Sequence, residues 1–387
     1  MPQQGFHSVS RRGFLTAAGF AALGGVLLSA CEGVAPLASG SPRATSSAAA
    51  ASNPTAAAAA AAAAFVQQGG AALVDLDYSK IDFRLEQLAN NLYALTGSPG
   101  VDPGHPEAAG GRIGFLSGPD GVLVVDAQYA PLTDKVVAAI RTVSSAPIRF
   151  LVNTHEHPDH TGGNANFARL GALILGREEE RADLSQTLPP AVASTIDPRL
   201  LQALQTAAGK QDDPLRLPVA TYGPSGQQTL RLNGETVRLI PAPSSHTHGD
   251  TLVRFETADV MLIGDVYRNY GYPFVDAIHG GSTSGIVQAL DLVTSLAGPA
   301  TKLVPGHGGI ITAADIPPQR DMISKVQARV KQLVDQRKTL QEVLDSKPTA
   351  DFDAAVPGGT TPLPGGGSSA DRFVGTIYAE VTAAAQQ

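Results

Sequence analysis

Residues 148–160 read Ile148-Arg149-Phe150-Leu151-Val152-Asn153-Thr154-His155-Glu156-His157-Pro158-Asp159-His160. The largely apolar first half predicts a buried strand, and the polar second half has the pattern H-x-H-x-D-H, which is dense in metal ligands. His155 and His157 are two positions apart and leave the strand end on the same side. Asp159 and His160 can then turn towards a second metal. The stretch therefore predicts a metal site at a strand end rather than a solvated polar loop.

The composition is that of a mildly acidic globular protein. The chain has 387 residues, of which 43% are hydrophobic, and a formal net charge of -7. It lacks the basic stripe that nucleic-acid binding requires, so we expect a small-molecule substrate and no nucleic-acid partner. Cys31 is the only cysteine, which excludes an intrachain disulfide and a cysteine-rich metal cluster. Nitrogen and oxygen ligands suit zinc, and also iron, manganese or cobalt.

The N-terminus has two features of an exported bacterial protein. Residues 10–15, Ser-Arg-Arg-Gly-Phe-Leu, resemble a twin-arginine export signal. Residues 28–31, Leu-Ser-Ala-Cys, resemble a lipobox, in which the chain is cut before the cysteine and the cysteine is lipidated. We expect residues 1–30 to be a signal peptide and the remainder to be periplasmic or on the cell surface, with a lipid on Cys31 as the membrane tether. The alternative for the apolar run 14–30 is a transmembrane anchor.

The rest of the chain divides by composition into a tether, a domain and a tail. Residues 31–72 are mostly Ala, Ser, Pro and Gly and cannot bury enough apolar surface to fold. Residues 73–345 alternate strand and helix signals and form the predicted domain. Residues 346–387 include a Pro/Gly-rich stretch and a short final helix, predicted at 372–384, which we expect to cover an apolar surface.

Two groups of strands are predicted within the domain. The first group is expected at 92–95, 113–116, 121–126, 148–152 and 172–175. The second group follows a polar, mostly helical segment and is expected at 229–232, 236–241, 251–255, 260–263 and 302–304. Helices are expected at 132–143, 162–170 and 318–344. The helical spacing of Ile286, Leu290, Val293 and Leu296 predicts another helix behind a cap at Ser282 and Thr283. These patterns predict two sheets face to face with helices outside.

Further candidate ligands follow other apolar strands. His246 and His248 come just after the strand that ends at 241, Asp265 comes after 260–264, and His307 comes after 302–306. Together with residues 155–160, these motifs resemble those of the metallo-β-lactamase-fold hydrolases: H-x-H-x-D-H, H-T-x-G-D, G-D and P-G-H-G, in that order. The resemblance spans about residues 75–345. It implies an α/β fold, a four-layer αββα sandwich with the metals at one edge, and makes 73–345 the catalytic domain.

The resemblance also implies a site with two divalent cations, expected to be zinc, with iron or manganese as alternatives. The first metal is expected on His155, His157 and His246, and the second on Asp159, His160 and His307, with Asp265 bridging the two. Asp126 is expected to accept a hydrogen bond from a ligand imidazole, with a surface turn as the alternative. His248 is expected beside the site, and His105 and His279 are expected to be exposed loop residues.

Such a site implies hydrolysis by a hydroxide that bridges the two metals. The expected substrate is a lactone, lactam or thioester, because the fold hosts several chemistries. Asp159 is also expected to accept a proton. Tyr270, shortly after Asp265, is a candidate oxyanion donor, with core packing as the alternative. A metal-binding accessory protein with little turnover is the second class of function, and the sequence predicts no oligomeric state.

Overall fold

The structure is a computed structural model, and it describes residues 76–96, 110–186, 197–363 and 366–385. The predicted signal peptide, Cys31, the tether and His105 lie outside these ranges. Within the described ranges, no helix combines the length and the apolar character that crossing a bilayer requires.

Two β-sheets form the centre of the fold. The first has seven strands, which neighbour one another in chain order: β1 (Arg84–Ala89), β2 (Leu92–Thr96), β3 (Ile113–Leu116), β4 (Val122–Val125), β5 (Ile148–Val152), β6 (Leu173–Arg177) and β7 (Ala220–Tyr222). The second has five strands: β8 (Gln228–Leu232), β9 (Glu235–Pro241), β10 (Thr251–Phe255), β11 (Val260–Gly264) and β12 (Lys302–Pro305). Their spatial order is β12-β11-β10-β9-β8. Neighbours from β4 to β7 are parallel, as are β11 and β12, and the other neighbours are antiparallel.

The helices lie in the connections between strands and at the C-terminal end. The described α-helices are α1 (Thr133–Arg141), α2 (Pro158–Thr161), α3 (Asn164–Arg169), α4 (Glu178–Ser185), α5 (Pro198–Ala208), α6 (Thr283–Leu296), α7 (Ile316–Asp335), α8 (Leu340–Asp345) and α9 (Ser369–Ala384). Ser282 begins α6 because its hydroxyl accepts a hydrogen bond from the Gly285 backbone N–H at 2.9 Å.

Apolar side chains divide the domain into four layers. Leu123 on β4 and Val253 on β10 belong to a cluster buried between the two sheets. Ile140 on α1 belongs to a cluster on the outer face of the seven-stranded sheet. Met261 on β11 and Ile323 on α7 belong to a third cluster, on the outer face of the five-stranded sheet. Burial of apolar surface on both faces of both sheets stabilises this arrangement. The αββα sandwich confirms the predicted fold class.

The predicted helix 318–344 is wrong, because two helices occupy this range. Arg337, between α7 and α8, has a φ of 61°, a left-handed conformation that ends a helix. Thr339 then caps α8, and Glu342 completes a capping box with it. The predicted helix 162–170 corresponds to α3, and the residues just before it form the separate short helix α2. Since α2 begins at Pro158, the end of the metal motif lies on a helical turn.

Strands β1 and β7 are absent from the sequence prediction. Most side chains of β1 are exposed, and β7 has only three residues. Both lie at an edge of the seven-stranded sheet, where one-sided burial leaves a weak hydrophobic pattern.

The C-terminal helix α9 is part of the apolar core. Phe373, Val374 and Ile377 are buried in the same cluster as side chains of α6 and α7. The tail therefore packs against the domain, and the predicted boundary at residue 345 stays a prediction.

Candidate metal centre

The candidate ligands emerge from strand ends at one edge of the sandwich. Parallel strands β4 and β5 end next to each other, which brings Asp126 close to residues 155–160. Parallel strands β11 and β12 do the same for Asp265 and His307. Parallel pairing explains this convergence, because the carboxyl ends of parallel neighbours meet at the same edge of a sheet.

The first group consists of His155, His157 and His246. One ring nitrogen of each lies within 4.8 Å of the others, and His246 Nε2 is 3.0 Å from His157 Nδ1. His155 Nε2 is buried and has no hydrogen-bond partner among the described residues. Three imidazole nitrogens directed at one point form a ligand set for a divalent transition metal.

The second group consists of Asp159, His160 and His307, whose ligating atoms also lie within 4.8 Å of one another. Asp159 Oδ2 is 3.1 Å from His307 Nε2 and 3.6 Å from His160 Nε2. The His160 Nε2 atom is buried without a hydrogen-bond partner in the part of the chain that the structure describes.

Asp265 lies between the two groups. Its Oδ2 is 3.2 Å from His307 Nε2 and 3.8 Å from His246 Nε2, so one oxygen contacts a residue of each group. Its Oδ1 is 3.4 Å from His160 Nε2 and lacks a hydrogen-bond partner among the described residues. This position suits a bridging ligand.

Three buried atoms indicate whether a metal fits here, because they have no hydrogen-bond partner among the described residues. They belong to His155, His160 and Asp265. A buried polar atom without a partner costs about 1–3 kcal/mol, which a bound cation offsets. The nitrogen and carboxylate donors of these adjoining groups suit divalent cations. The assignment of individual ligands stays a prediction.

Charge differs between the two groups. Burial, together with His157, lowers the pKa of His246 to about 3, and burial with its imidazole neighbours holds the pKa of His155 well below its usual value. Neutral imidazole is the form that binds metal. Burial also opposes a charge on His160, but the carboxylate of Asp159 and its neighbours outweigh burial and raise the pKa of His160 well above its usual value. The carboxylates around His160 therefore stabilise a positive charge within the second group.

Asp126 orients the second group. His160 Nδ1 donates a hydrogen bond to Asp126 Oδ2 at 2.8 Å. The Thr154 backbone N–H and hydroxyl donate to the same carboxylate at 2.7 and 2.8 Å. Asp126 is buried and has a φ of 65°, a strained conformation for a residue other than glycine. These bonds hold His160 with its Nε2 towards the site.

Asp276, which the sequence analysis missed, has the same relation to the first group. His157 Nε2 donates to Asp276 Oδ2 at 2.8 Å, which leaves His157 Nδ1 for the site. The same oxygen accepts a hydrogen bond from His279 Nδ1 at 2.6 Å. No motif marks Asp276, since it lies in an irregular loop. His279 is a loop residue, as predicted, but it is half-buried and bound to Asp276 rather than exposed.

His246 and His248 have different surroundings. His246 Nδ1 donates to the Phe274 carbonyl at 2.7 Å, so its Nε2 points into the first group. The Phe274 ring centroid lies 5.5 Å from that of His246. His248 instead pairs with Asp183 at 2.5 Å and belongs to neither group of candidate ligands.

Two buried side chains adjoin the centre. Burial raises the pKa of Glu156 to about 7, and neither of its carboxylate oxygens has a hydrogen-bond partner among the described residues. Tyr270 is fully buried, and its hydroxyl accepts a hydrogen bond from Arg268 Nη2 at 3.2 Å. Full burial favours the packing alternative for Tyr270, and its role as an oxyanion donor stays a prediction.

A four-layer αββα sandwich with a His/Asp cluster at one edge defines a class of metal-dependent hydrolases. A family model described as the metallo-beta-lactamase superfamily matches residues 108–307, just over half of the chain. The chain belongs to this superfamily, and the recognition from sequence is confirmed.

Solved structures with low sequence identity also resemble the chain. They include a metallo-beta-lactamase from Pontibacter korlensis, with 15% identity and a TM-score of 0.48, covering 63% of this chain and 99% of that one. They also include DIM-1 metallo-beta-lactamase exposed to ceftazidime, with 16% identity and a TM-score of 0.47, covering 63% of this chain and 98% of that one.

Proposed function

We propose that this protein is an exported hydrolase that uses two divalent metal ions to hydrolyse the bond between the carbonyl carbon and the ring oxygen, ring nitrogen or sulfur of a lactone, lactam or thioester. The observation that carries the proposal is the position of Asp265 between two complete groups of nitrogen and oxygen donors. A protein that only stored metal would not need a carboxylate within reach of both groups.

The two groups would hold one ion each, with zinc as the expected metal and iron or manganese as alternatives. When bound, such ions polarise a carbonyl oxygen and lower the pKa of water towards neutrality.

The residues around the groups support this chemistry by orientation. Asp126 and Asp276 each accept a hydrogen bond from a candidate ligand at 2.8 Å, which fixes the ring plane and the tautomer. Asp159 is charged, since His160 and His307 outweigh burial and lower its pKa. A low pKa favours metal ligation over holding a proton, so proton transfer to Asp159 would be transient.

The test combines metal analysis of the purified protein with a panel of ester, lactone, thioester and β-lactam substrates. We expect two metal ions per chain, hydrolysis of at least one substrate, and loss of activity after chelation with recovery when zinc is restored. Two bound ions without hydrolysis of any substrate would favour the accessory-protein alternative.

We further propose that Cys31 carries a lipid that tethers the domain to a membrane outside the cytoplasm. Support comes from the sequence Leu28-Ser29-Ala30-Cys31 behind Arg11-Arg12. Expression of the full chain and of Cys31→Ser, followed by membrane fractionation, tests this. Membrane association that is unaltered in Cys31→Ser would exclude the lipid tether.

A further inference from the structure

A third group of metal-binding side chains adjoins the first group of candidate ligands. Glu156, Asp276 and His279 each offer one nitrogen or oxygen atom, and these atoms lie within 4.8 Å of one another and of a ring nitrogen of His157. His279 Nδ1 is 2.6 Å from Asp276 Oδ2 and 3.9 Å from Glu156 Oε1. We call these three residues the outer cluster, and none of them is a member of the first or second group.

Glu156 is the member of the outer cluster that lacks a hydrogen-bond partner. The residue is 6% exposed, and neither of its carboxylate oxygens accepts a hydrogen bond from the described residues. In the same part of the chain, its one ion pair is the 3.9 Å contact of Oε1 with His279 Nδ1. Protonation would not supply a partner, because a buried carboxyl group has its own donor and acceptor atoms to satisfy. A cation coordinated by Glu156 would supply one.

The donor atoms of the outer cluster suit a divalent transition metal. Glu156 and Asp276 supply two carboxylates, whose charges balance those of a divalent cation, and the imidazole of His279 is a neutral donor. No lysine or arginine pairs with either carboxylate in the part of the chain that the structure describes. Mixed carboxylate and imidazole donors suit zinc, manganese or iron, whereas calcium and magnesium prefer oxygen ligands.

The loop that carries Asp276 and His279 is held against the loop of the H-T-x-G-D motif. The Asp276 backbone N–H donates to the His246 carbonyl at 2.8 Å, and the His248 backbone N–H donates to the His279 carbonyl at 2.8 Å. Asp276 Oδ1 accepts hydrogen bonds from the backbone N–H groups of Ile278 and His279 at 3.0 and 3.1 Å, which leaves Oδ2 for the outer cluster. Side chains that are fixed in this way need little reorganisation to bind an ion.

The His157 ring separates the outer cluster from the first group. Its Nδ1 lies 3.0 Å from His246 Nε2 in the first group, whereas its Nε2 lies 2.8 Å from Asp276 Oδ2 in the outer cluster. The outer cluster also has its own access to solvent, because the side chain of His279 is 36% exposed. A cation can therefore reach the outer cluster without passing through the first group.

We propose that Glu156, Asp276 and His279 bind a third divalent transition-metal ion. The proposal goes beyond the hydrolytic function and rests on it only for the two ions that bind first. The third ion would take the place of the proton on His279 Nδ1, leaving that ring protonated on Nε2. We expect it to bind more weakly than the first two ions, because the outer cluster is open to solvent and shares Asp276 with His157.

The test counts the zinc ions that the full chain binds when the chelator-treated protein is titrated with zinc in a calorimeter. We expect Glu156→Gln and His279→Ala each to bind about one zinc ion per chain fewer than the wild type. Glu156→Gln is nearly isosteric, and circular dichroism verifies that both variants fold. Asp276 is left unchanged, because it also holds His157. Equal numbers of zinc ions in the wild type and both variants would overturn the proposal.

His248→Ala and Asp183→Asn are the matched controls. Like His279, His248 is a half-exposed histidine paired with a buried aspartate, Asp183, but neither residue belongs to a group of candidate ligands among the described residues. Both controls should bind as many zinc ions as the wild type. If they lose as much zinc as the outer-cluster variants, the loss follows from local charge rather than coordination, and the proposal is wrong.

A double variant separates the third ion from the ion of the first group. His155 is a member of the first group and not of the outer cluster. If the sites are distinct, His155→Ala and His279→Ala should each lose about one ion, and the double variant about two. A double variant that loses only one ion would mean that both histidines hold the same ion, which would refute a separate site. Because no substrate is used, binding of the third ion by a protein that hydrolyses nothing would support this proposal while contradicting the hydrolytic function.

Discussion

Asp276 Oδ2 lies 2.8 Å from His157 Nε2, although the two residues are 119 positions apart in the chain. The same carboxylate also accepts hydrogen bonds from the His279 ring and from the backbone N–H groups of Ile278 and His279. Burial opposes the charge on Asp276, but these hydrogen bonds outweigh burial and hold its pKa well below the usual value. A fixed, charged acceptor directs His157 Nδ1 towards the first group.

Replacement of Asp276 with Asn should therefore weaken metal binding. An amide is a poorer acceptor than a carboxylate, and we expect about a 10- to 100-fold loss of affinity, the usual effect of losing an outer-shell partner. Competition with a chromophoric chelator measures it. The matched control is Asp183→Asn, since Asp183 pairs with His248 at 2.5 Å outside both groups. Equal effects of the two substitutions would contradict the orienting role of Asp276.

His157→Ala should lose metal and hydrolysis together while the fold is preserved. The substitution removes one nitrogen of the first group, and the apolar clusters that stabilise the sandwich do not include this residue. His248→Ala serves as the control, because His248 is a neighbouring histidine outside both groups. Metal content by mass spectrometry and circular dichroism provide the measurements. If His248→Ala loses metal and His157→Ala retains it, the ligand assignment is wrong.

Gly306→Ala should disrupt the candidate metal centre, because the added methyl group has no room beside the candidate ligands. A Cβ at this position would lie 2.2 Å from Asp265 Oδ1 and 2.9 Å from His160 Cε1, so at least one of these side chains must move. Because a displacement of about 1 Å at a site can cost 100-fold in rate, we expect a comparable loss of activity.

The control for Gly306→Ala is Gly375→Ala on α9, where a Cβ meets no atom within 4 Å. This substitution should stabilise the protein by up to about 1 kcal/mol, owing to helix propensity. Normal metal content and activity in Gly306→Ala would show that the centre tolerates the shift.

The titration of Asp250 should make stability depend on pH. Burial raises its pKa from 3.8 to about 6, against hydrogen bonds from Ser245 and Thr247. The folded state then binds more protons than the unfolded state between these values, so the stabilising contribution is complete below pH 3.8 and is lost as pH rises through about 6. The total change is on the order of 3 kcal/mol.

Asp250→Asn cannot titrate, so it isolates this contribution. Urea unfolding from pH 4 to 7 should show the wild type losing stability relative to the variant as pH rises. Parallel pH profiles for the two proteins would mean that the pKa of Asp250 is not raised in the folded state.

Local motifs explain which parts of the site could be predicted. His155, His157, Asp159 and His160 are close together in sequence. Asp265 and His307 follow apolar strands within two residues, and His246 follows one within five. Strand-end position is a local property, and parallel pairing brings such ends together. The break at Arg337 was missed because the apolar periodicity continues across it, while the left-handed turn depends on a single residue.

By itself, the sequence determined the two-sheet architecture and the set of candidate ligands, because hydrophobic periodicity and strand-end motifs are encoded by neighbouring residues. Only the tertiary structure decided what surrounds those ligands. Asp276 and His279 come from an irregular loop, and neither belongs to a motif. Their contacts with His157 and Glu156 arise from long-range packing, and no local pattern in the chain records which distant segments meet.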